Sequence, residues 1–220
     1  MVELFSIHKI FFTVLGYQMS YIEFFGTVAG AIAVWLSAKA NIWSWPIGII
    51  NVILFFFLFY QVQLYPDMFL QVFFFITNLI GWWRWTNPNK SEEDRKHELR
   101  VTYMSRQLIV LFLVTGIAAT FIFGILAKNL HEFFPIVFGK PSAFPYADSF
   151  VTVMSIIATY LMVQKKVECW AVWILVDAVA CTLYFVKEIK FVGIEYVVFC
   201  FIAGFGLWNW MKESRSYNAV

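Results

Sequence analysis

Charge is scarce in this chain of 220 residues. Asp, Glu, Lys and Arg make up 14% of it, against about a quarter in a soluble domain. The net charge of +2 is spread through short loops and forms no basic stripe, which excludes a nucleic-acid binder. Cysteine is also sparse. Cys169, Cys181 and Cys200 show neither paired nor metal-ligand spacing and read as small core residues. There is no glycine-rich phosphate loop, no His-x-x-Glu-His pattern and no nucleophile elbow. Nucleotide hydrolysis, zinc chemistry and serine-type acyl transfer therefore lack their usual residues, and no metal or cofactor is expected.

What fills the chain instead is apolar: 61% of residues, with a strongly positive mean hydropathy. A membrane-spanning helix needs about 20 mostly apolar residues. Seven stretches qualify: 22–38, 42–61, 66–85, 106–127, 147–163, 167–186 and 191–211. They are continuous rather than alternating every second residue, which argues against a barrel. The expected fold is an all-α integral membrane protein with seven transmembrane helices. Residues 1–17 lack the basic start and cleavage site of a signal peptide and are expected to form an interfacial helix, within an N-terminal segment 1–20. The polar run 86–105 reads as a solvated connector, and Pro135, Gly139, Pro141 and Pro145 mark turns in the second long connection.

The chain repeats itself at an offset of 125 residues. Trp45, Leu58, Gly81, Trp83 and Trp85 recur as Trp170, Leu183, Gly206, Trp208 and Trp210, and Thr27, Val28, Ile32, Ala33 and Leu36 as Thr152, Val153, Ile157, Ala158 and Leu161. Each half carries one three-helix repeat, 21–87 and 147–212. Between them, 88–146 holds the connector, one linking helix and a loop, and 213–220 forms a tail. An odd linker makes the two repeats parallel, a 3+1+3 plan found among transporters. If the 86–105 connector is cytoplasmic, eleven basic residues face inward (Lys39, Arg84, Lys90, Arg95, Lys96, Arg100, Arg106, Lys165, Lys166, Lys212, Arg215). Five face outward (Lys9, Lys128, Lys140, Lys187, Lys190). The positive-inside rule then puts the N-terminus outside and the C-terminus in the cytoplasm.

Polar side chains within the apolar runs are the candidate site. Asp177 falls mid-span, where a charge must face protein or water. Trp170, Trp173, Cys181 and Tyr184 share its face at steps of three and four. In the third run Asp67, Gln71, Phe74, Asn78 and Trp82 form a similar stripe, with Trp85 one turn on. Gln71 and Asn78 can both donate and accept hydrogen bonds. Asn51 lies mid-span in the second run, and Glu195 and Tyr196 lie near the start of the seventh. Each also has a plainer reading. Carboxamides tie membrane helices together, a buried carboxylate can do the same, and Asp67 can cap its helix. Trp83, Trp208 and Trp210 are expected at the headgroup level.

Several motifs resemble the PnuC family of bacterial vitamin transporters. They are 45–51 (WPIGIIN), 64–68 (LYPDM) with Gln71, 81–85 (GWWRW), Trp170, 173–177 (WILVD), 183–184 (LY) and Lys187. The resemblance covers 21–212. It implies a SWEET-like 3+1+3 fold, a homotrimer in the bacterial inner membrane, and no enzymatic activity. It further implies nicotinamide riboside as substrate, taken up by facilitated diffusion and trapped inside by phosphorylation. Relatives carrying thiamine or riboflavin, proton coupling through Asp177 or Glu195, and a remote intramembrane enzyme with Asp67, Asp177 and Glu195 as acid–base groups are the alternatives. The expected substrate-binding residues are Asn51, Gln71, Asn78, Trp82, Trp85, Trp173, Asp177, Tyr184, Glu195 and Tyr196. A reporter that functions only in the cytoplasm should be active when fused after Val220; activity only from an external reporter would reverse the orientation.

Overall fold

The computed structural model describes residues 6–14, 16–63, 65–133, 143–186 and 190–217. The chain divides into two compact units, Met1–Arg100 and Val101–Val220. Unit 1 holds a hairpin of β1 (Ile10–Val14) and β2 (Tyr17–Ser20), then α1 (Tyr21–Ala38), α2 (Ser44–Gln61) and α3 (Tyr65–Thr86). Unit 2 holds α4 (Arg106–Phe133), α5 (Pro145–Val163), α6 (Glu168–Val186) and α7 (Lys190–Tyr217). Within unit 1, α2 packs on both α1 and α3. Within unit 2, α5 packs on α4 and α6, and α6 packs on α7.

The helices follow the apolar runs closely, and among the described residues six of them are long and apolar enough to cross a membrane. The α3 helix is not in that set, because Gln71, Asn78 and Arg84 dilute its apolar character. The α7 helix runs on to Tyr217, so most of the anticipated tail is helical, and the linking helix α4 belongs to the second compact unit.

The expected interfacial helix at the N-terminus is instead the β1–β2 hairpin, with Val14 paired to Tyr17 and Thr13 to Gln18. Ile10, Phe11, Phe12 and Thr13 are β-branched or aromatic and favour extended backbone. Gly16 takes φ +86° at the turn, a conformation with little cost only for glycine. The backbone N–H of Ile7 donates to Gln61 Oε1 at 3.1 Å, fastening this segment to the end of α2. Ser20 then caps α1, its hydroxyl accepting from the Glu23 N–H at 3.3 Å.

The sequence repeat is a structural repeat down to single hydrogen bonds. After α1, Ala40 takes φ +52°, and after α5 its counterpart Lys165 takes the same φ. In both turns the two flanking N–H groups return to the helix at 2.9 Å, Ala40 to Ser37 O and Asn41 to Leu36 O, Lys165 to Met162 O and Lys166 to Leu161 O. This is the Schellman closure, in which a left-handed residue lets the last turn satisfy its own carbonyls. Each unit also holds one indole against a glycine. Trp45 lies edge-on to Trp85 at 5.2 Å and Trp170 edge-on to Trp210 at 5.5 Å. A Cβ on Gly81 would sit 2.3 Å from the Trp45 ring, and one on Gly206 would sit 2.6 Å from Trp170. All four tryptophans are buried. Trp210, expected at the headgroup level, is therefore a core residue, whereas Trp83 and Trp208 are 64% and 58% uncovered.

The polar connector is packed rather than merely solvated. Leu99 and Val101 are buried, and the Leu99 N–H donates to Trp85 O at 3.0 Å. Arg84 pairs with Glu92 at 2.8 Å, and its guanidinium holds that carboxyl below the usual carboxylate range. In unit 2, Thr102 exchanges backbone bonds with Lys165 and Val167, while the Met104 N–H donates to Glu168. Replacing Gly81 or Gly206 by Ala should cost about 1–3 kcal/mol through overpacking against the indole. Thermal unfolding of purified protein in detergent would show this as a lower Tm, and an unchanged Tm would remove the clamp from its structural role.

Candidate functional site

Polar candidates in unit 1 are set by α2 and α3. Gln71 lies on the wall of a half-open groove of about 360 Å³. The rest of that wall is Val52, Ile53, Phe56, Phe57, Val72 and Phe75. Gln71 makes no hydrogen bond among the described residues, so its amide is available to something entering the groove. Asn78, two turns along, donates from Nδ2 to Phe74 O at 2.8 Å, and its Oδ1 rests against Gly48 of α2. Asn51 donates from Nδ2 to Gly26 O at 2.8 Å, which joins α2 to α1. Of the two readings open to Asn51, the interhelical tie is the one its geometry fits.

The tryptophans separate. Trp82 is partly uncovered, while Trp85 is completely buried as one side of the clamp on Trp45, so neither face of its ring is open to a ligand. The side chain of Asp67 and the whole of Lys187 lie outside the described residues.

In unit 2 the candidates converge. Asp177 on α6 is 4% exposed and makes no hydrogen bond or ion pair among the described residues. One turn and two turns on from it lie Cys181 and Tyr184. The Tyr184 ring stacks on Tyr196 of α7 at 5.3 Å and 13°, and Asp177, Tyr184 and Glu195 are all within electrostatic reach of the Tyr196 hydroxyl. Trp173 is half-covered, yet its indole N–H is buried with no acceptor among the described residues. Glu195 is on an uncovered part of α7. Trp170, which shares the Asp177 stripe, is occupied as the clamp on Gly206.

Two features escape a reading by residue type. Cys200 on α7 donates from Sγ to Ile174 O at 3.8 Å and lies beside Asp177 and Cys181. The aromatic groove of unit 1 also contains Phe56 and Phe75, which look like ordinary apolar residues. The repeat offset is the signal that finds both. Val52, Phe56, Gln71 and Phe75 of the groove correspond to Asp177, Cys181, Tyr196 and Cys200. The same helix pair is thus lined by apolar and carboxamide groups in unit 1, and by acidic, thiol and phenolic groups in unit 2.

Chemically, the unit 2 group can stack a flat ring, hydrogen-bond hydroxyls and offset one positive charge, and the unit 1 group by itself can hydrogen-bond an amide or hydroxyls. No group of three or more His, Cys, Asp or Glu side chains able to hold a metal occurs among the described residues.

A family model described as "Nicotinamide mononucleotide transporter" matches residues 20–212. The nicotinamide riboside transporter PnuC of Escherichia coli (strain K12) is 32% identical over 217 residues, covering 91% of this chain and 89% of that protein. The riboflavin/roseoflavin transporter RibM of Streptomyces davaonensis is 26% identical over 191 residues, covering 86% of this chain and 84% of that one. Among solved structures, the crystal structure of the vitamin B3 transporter PnuC matches with a TM-score of 0.66 at 22% identity. It covers 89% of this chain and 83% of the other.

Asn51→Ala should lower the Tm, because it removes an interhelical hydrogen bond of about 1 kcal/mol. Gln71→Ala, which removes no such bond, should leave it unchanged. A reversed order in side-by-side thermal unfolding would exchange the tie and site roles of these two residues.

Proposed function

The chain belongs to the nicotinamide mononucleotide transporter family, and on that premise we propose that it carries the nucleoside, nicotinamide riboside, across a bilayer in preference to the phosphorylated nucleotide. The observation that carries this choice is Asp177: buried, without a cationic partner among the described residues, and within electrostatic reach of Tyr196, whose ring stacks on Tyr184. A buried unpaired carboxylate is costly. A ligand bearing one positive charge on a flat ring offsets that cost and gains about 0.5–2 kcal/mol from stacking on an aromatic face. A phosphate finds the opposite environment. No Lys or Arg occurs within 21–38, 44–61, 65–83, 107–127, 147–163, 167–186 or 191–211, whereas carboxylates do. A dianion entering there would lose its hydration with no cation to replace it.

In this reading the unit 2 candidates are Asp177 and Tyr196 for the ring charge and ribose and Trp173, whose indole N–H suits a ligand oxygen; the unit 1 candidates, Gln71 and Asn78, suit an amide or hydroxyls. Trp82, Tyr184 and Glu195 stay in the candidate set. Trp85 and Asn51 support it from the packing. Riboflavin, named for one relative, is the second reading. It is neutral, and so would leave the Asp177 charge uncompensated.

The architecture proposed is seven spans in a 3+1+3 order, with α3 as the seventh. Its 22 residues give a length of about 33 Å, enough for a hydrocarbon core of about 30 Å. Basic residues outnumber at the 86–105 side and support a cytoplasmic C-terminus. The homotrimer and bacterial inner-membrane location implied by the resemblance are kept as part of the proposal. Outward residues of α4 such as Val110, Val114, Ile117 and Phe121 are each more than half uncovered and suit lipid or neighbouring copies. Transport proceeds by alternating access, with the two three-helix repeats as the moving bodies and no coupling ion.

Purified protein in proteoliposomes should take up nicotinamide riboside and leave the mononucleotide outside, at rates indifferent to an imposed pH gradient. Asp177→Asn should reduce riboside uptake at least about tenfold, the equivalent of one charge-assisted contact. Equal uptake of both compounds, or full activity of Asp177→Asn, would overturn the assignment; acceleration by a proton gradient would replace the facilitator with a symporter.

A further inference from the structure

Asn78 sits in a seat made by a missing side chain. A Cβ built on Gly48 would lie 2.3 Å from Asn78 Oδ1 and 3.2 Å from its Cγ. The carboxamide therefore occupies the space that any larger residue at position 48 would fill. Its nitrogen is fixed as well, because Nδ2 donates to Phe74 O at 2.8 Å. An amide offers two N–H donors and one oxygen acceptor. Here one N–H is used within α3 and the oxygen is pressed against α2. The second N–H has no hydrogen-bond partner among the described residues.

Asn51 makes the contrast plain. Its amide also lies over a glycine, 2.8 Å from a Cβ placed on Gly30, but it bonds across to the backbone of α1 at Gly26. That is a tie between helices. Asn78 bonds only to its own helix among the described residues, so the Phe74 carbonyl and the Gly48 notch together set which way its second N–H points.

The repeat supplies an independent observation. At the offset of 125, Gly48 corresponds to Trp173 and Asn78 to Ala203, and Ala203 is 2% exposed. The bulk is exchanged between the helices: small on α2 and larger on α3 in unit 1, large on α6 and small on α7 in unit 2. Each helix pair holds one sizeable side chain at this level. Which helix supplies it decides whether a carboxamide or an indole is presented.

We propose that Gly48 is a positioning residue that sets the orientation of the Asn78 carboxamide, and that Asn78 thereby presents its second N–H to an acceptor oxygen on the ligand, a carbonyl or hydroxyl. This rests on the transport reading given above. Gly48 itself touches no ligand and acts entirely through Asn78.

The test is a cycle of four proteins in proteoliposomes: wild type, Gly48→Ala, Asn78→Ala and the double variant. Initial rates of nicotinamide riboside uptake are measured against concentration, and Tm is measured in detergent. Gly48→Ala should raise KM about tenfold, the loss of one oriented hydrogen bond, with maximal rate within about twofold. Asn78→Ala should raise KM to a similar degree, and the double variant should be no worse than Asn78→Ala alone. A Gly48→Ala variant combined with Asn78→Ser, which keeps a small donor beside the added methyl, should recover part of the lost affinity. Additive KM effects in the double variant overturn the proposal, because Gly48 would then act by a route other than Asn78. So does a Gly48→Ala protein with lowered Tm and unchanged KM, which is packing alone. Wild-type KM in Asn78→Ala removes Asn78 from the ligand and overturns this inference, while wild-type protein that carries no riboside at all sinks the transport reading instead.

Discussion

An indole laid against a glycine governs how close the second and third helices of each repeat can come. In water the hydrophobic effect would gather these helices, but in lipid the surroundings are as apolar as the side chains. Association then depends on close packing and on the few polar contacts. Trp45 on Gly81, closed off by Trp85, and Trp170 on Gly206, closed off by Trp210, supply that packing at the same place in both units. A large rigid ring buries much area with little loss of rotamer freedom. It fits only because the facing residue has no Cβ. Everything further along these helix pairs, including the groove beside Gln71 and the cluster around Asp177, inherits its spacing from these two contacts.

On that shared frame the two units carry different chemistry. Groove positions filled by Val52, Phe56 and Phe75 in unit 1 become Asp177, Cys181 and Cys200 in unit 2, and Gln71 becomes Tyr196. The exchange of Gly48 and Asn78 for Trp173 and Ala203 shows how this division arises without disturbing the packing. The larger side chain of the pair moves from the third helix of the repeat to the second. A scaffold so constrained by its glycines and tryptophans can change polar groups at the groove with little structural cost. Relatives named for nicotinamide riboside and for riboflavin within one set of similar chains are consistent with that freedom.

Turns and connectors close the remaining backbone accounts. Ala40 and Lys165 accept a left-handed conformation so that both helix ends can satisfy their last carbonyls. The charged connector does likewise, with Arg84 on Glu92 and the Leu99 N–H on Trp85 O. Arg84–Glu92 and His97–Glu93 are local ties in unit 1, where Leu99 is buried.

Amino-acid order alone determined the helices, their membrane character and the duplication. Apolar length is a property of the chain itself, and a bilayer leaves helix as the only way for such a run to satisfy its backbone. The same order marked Asp177, because a mid-span carboxylate is conspicuous anywhere it folds. It expected a helix at the N-terminus, where extended β-branched and aromatic residues found a partner strand across Gly16, and it expected Trp210 at the headgroup level. That ring looks like any other helix-end tryptophan until Trp170 of the neighbouring helix is in place against it. Only tertiary structure decided that Asn51 bonds across to α1 while Asn78 bonds within α3, since the two residues are identical in type. Burial, orientation and the choice of partner belong to the packing of one helix against another, and no periodicity within a single helix contains them.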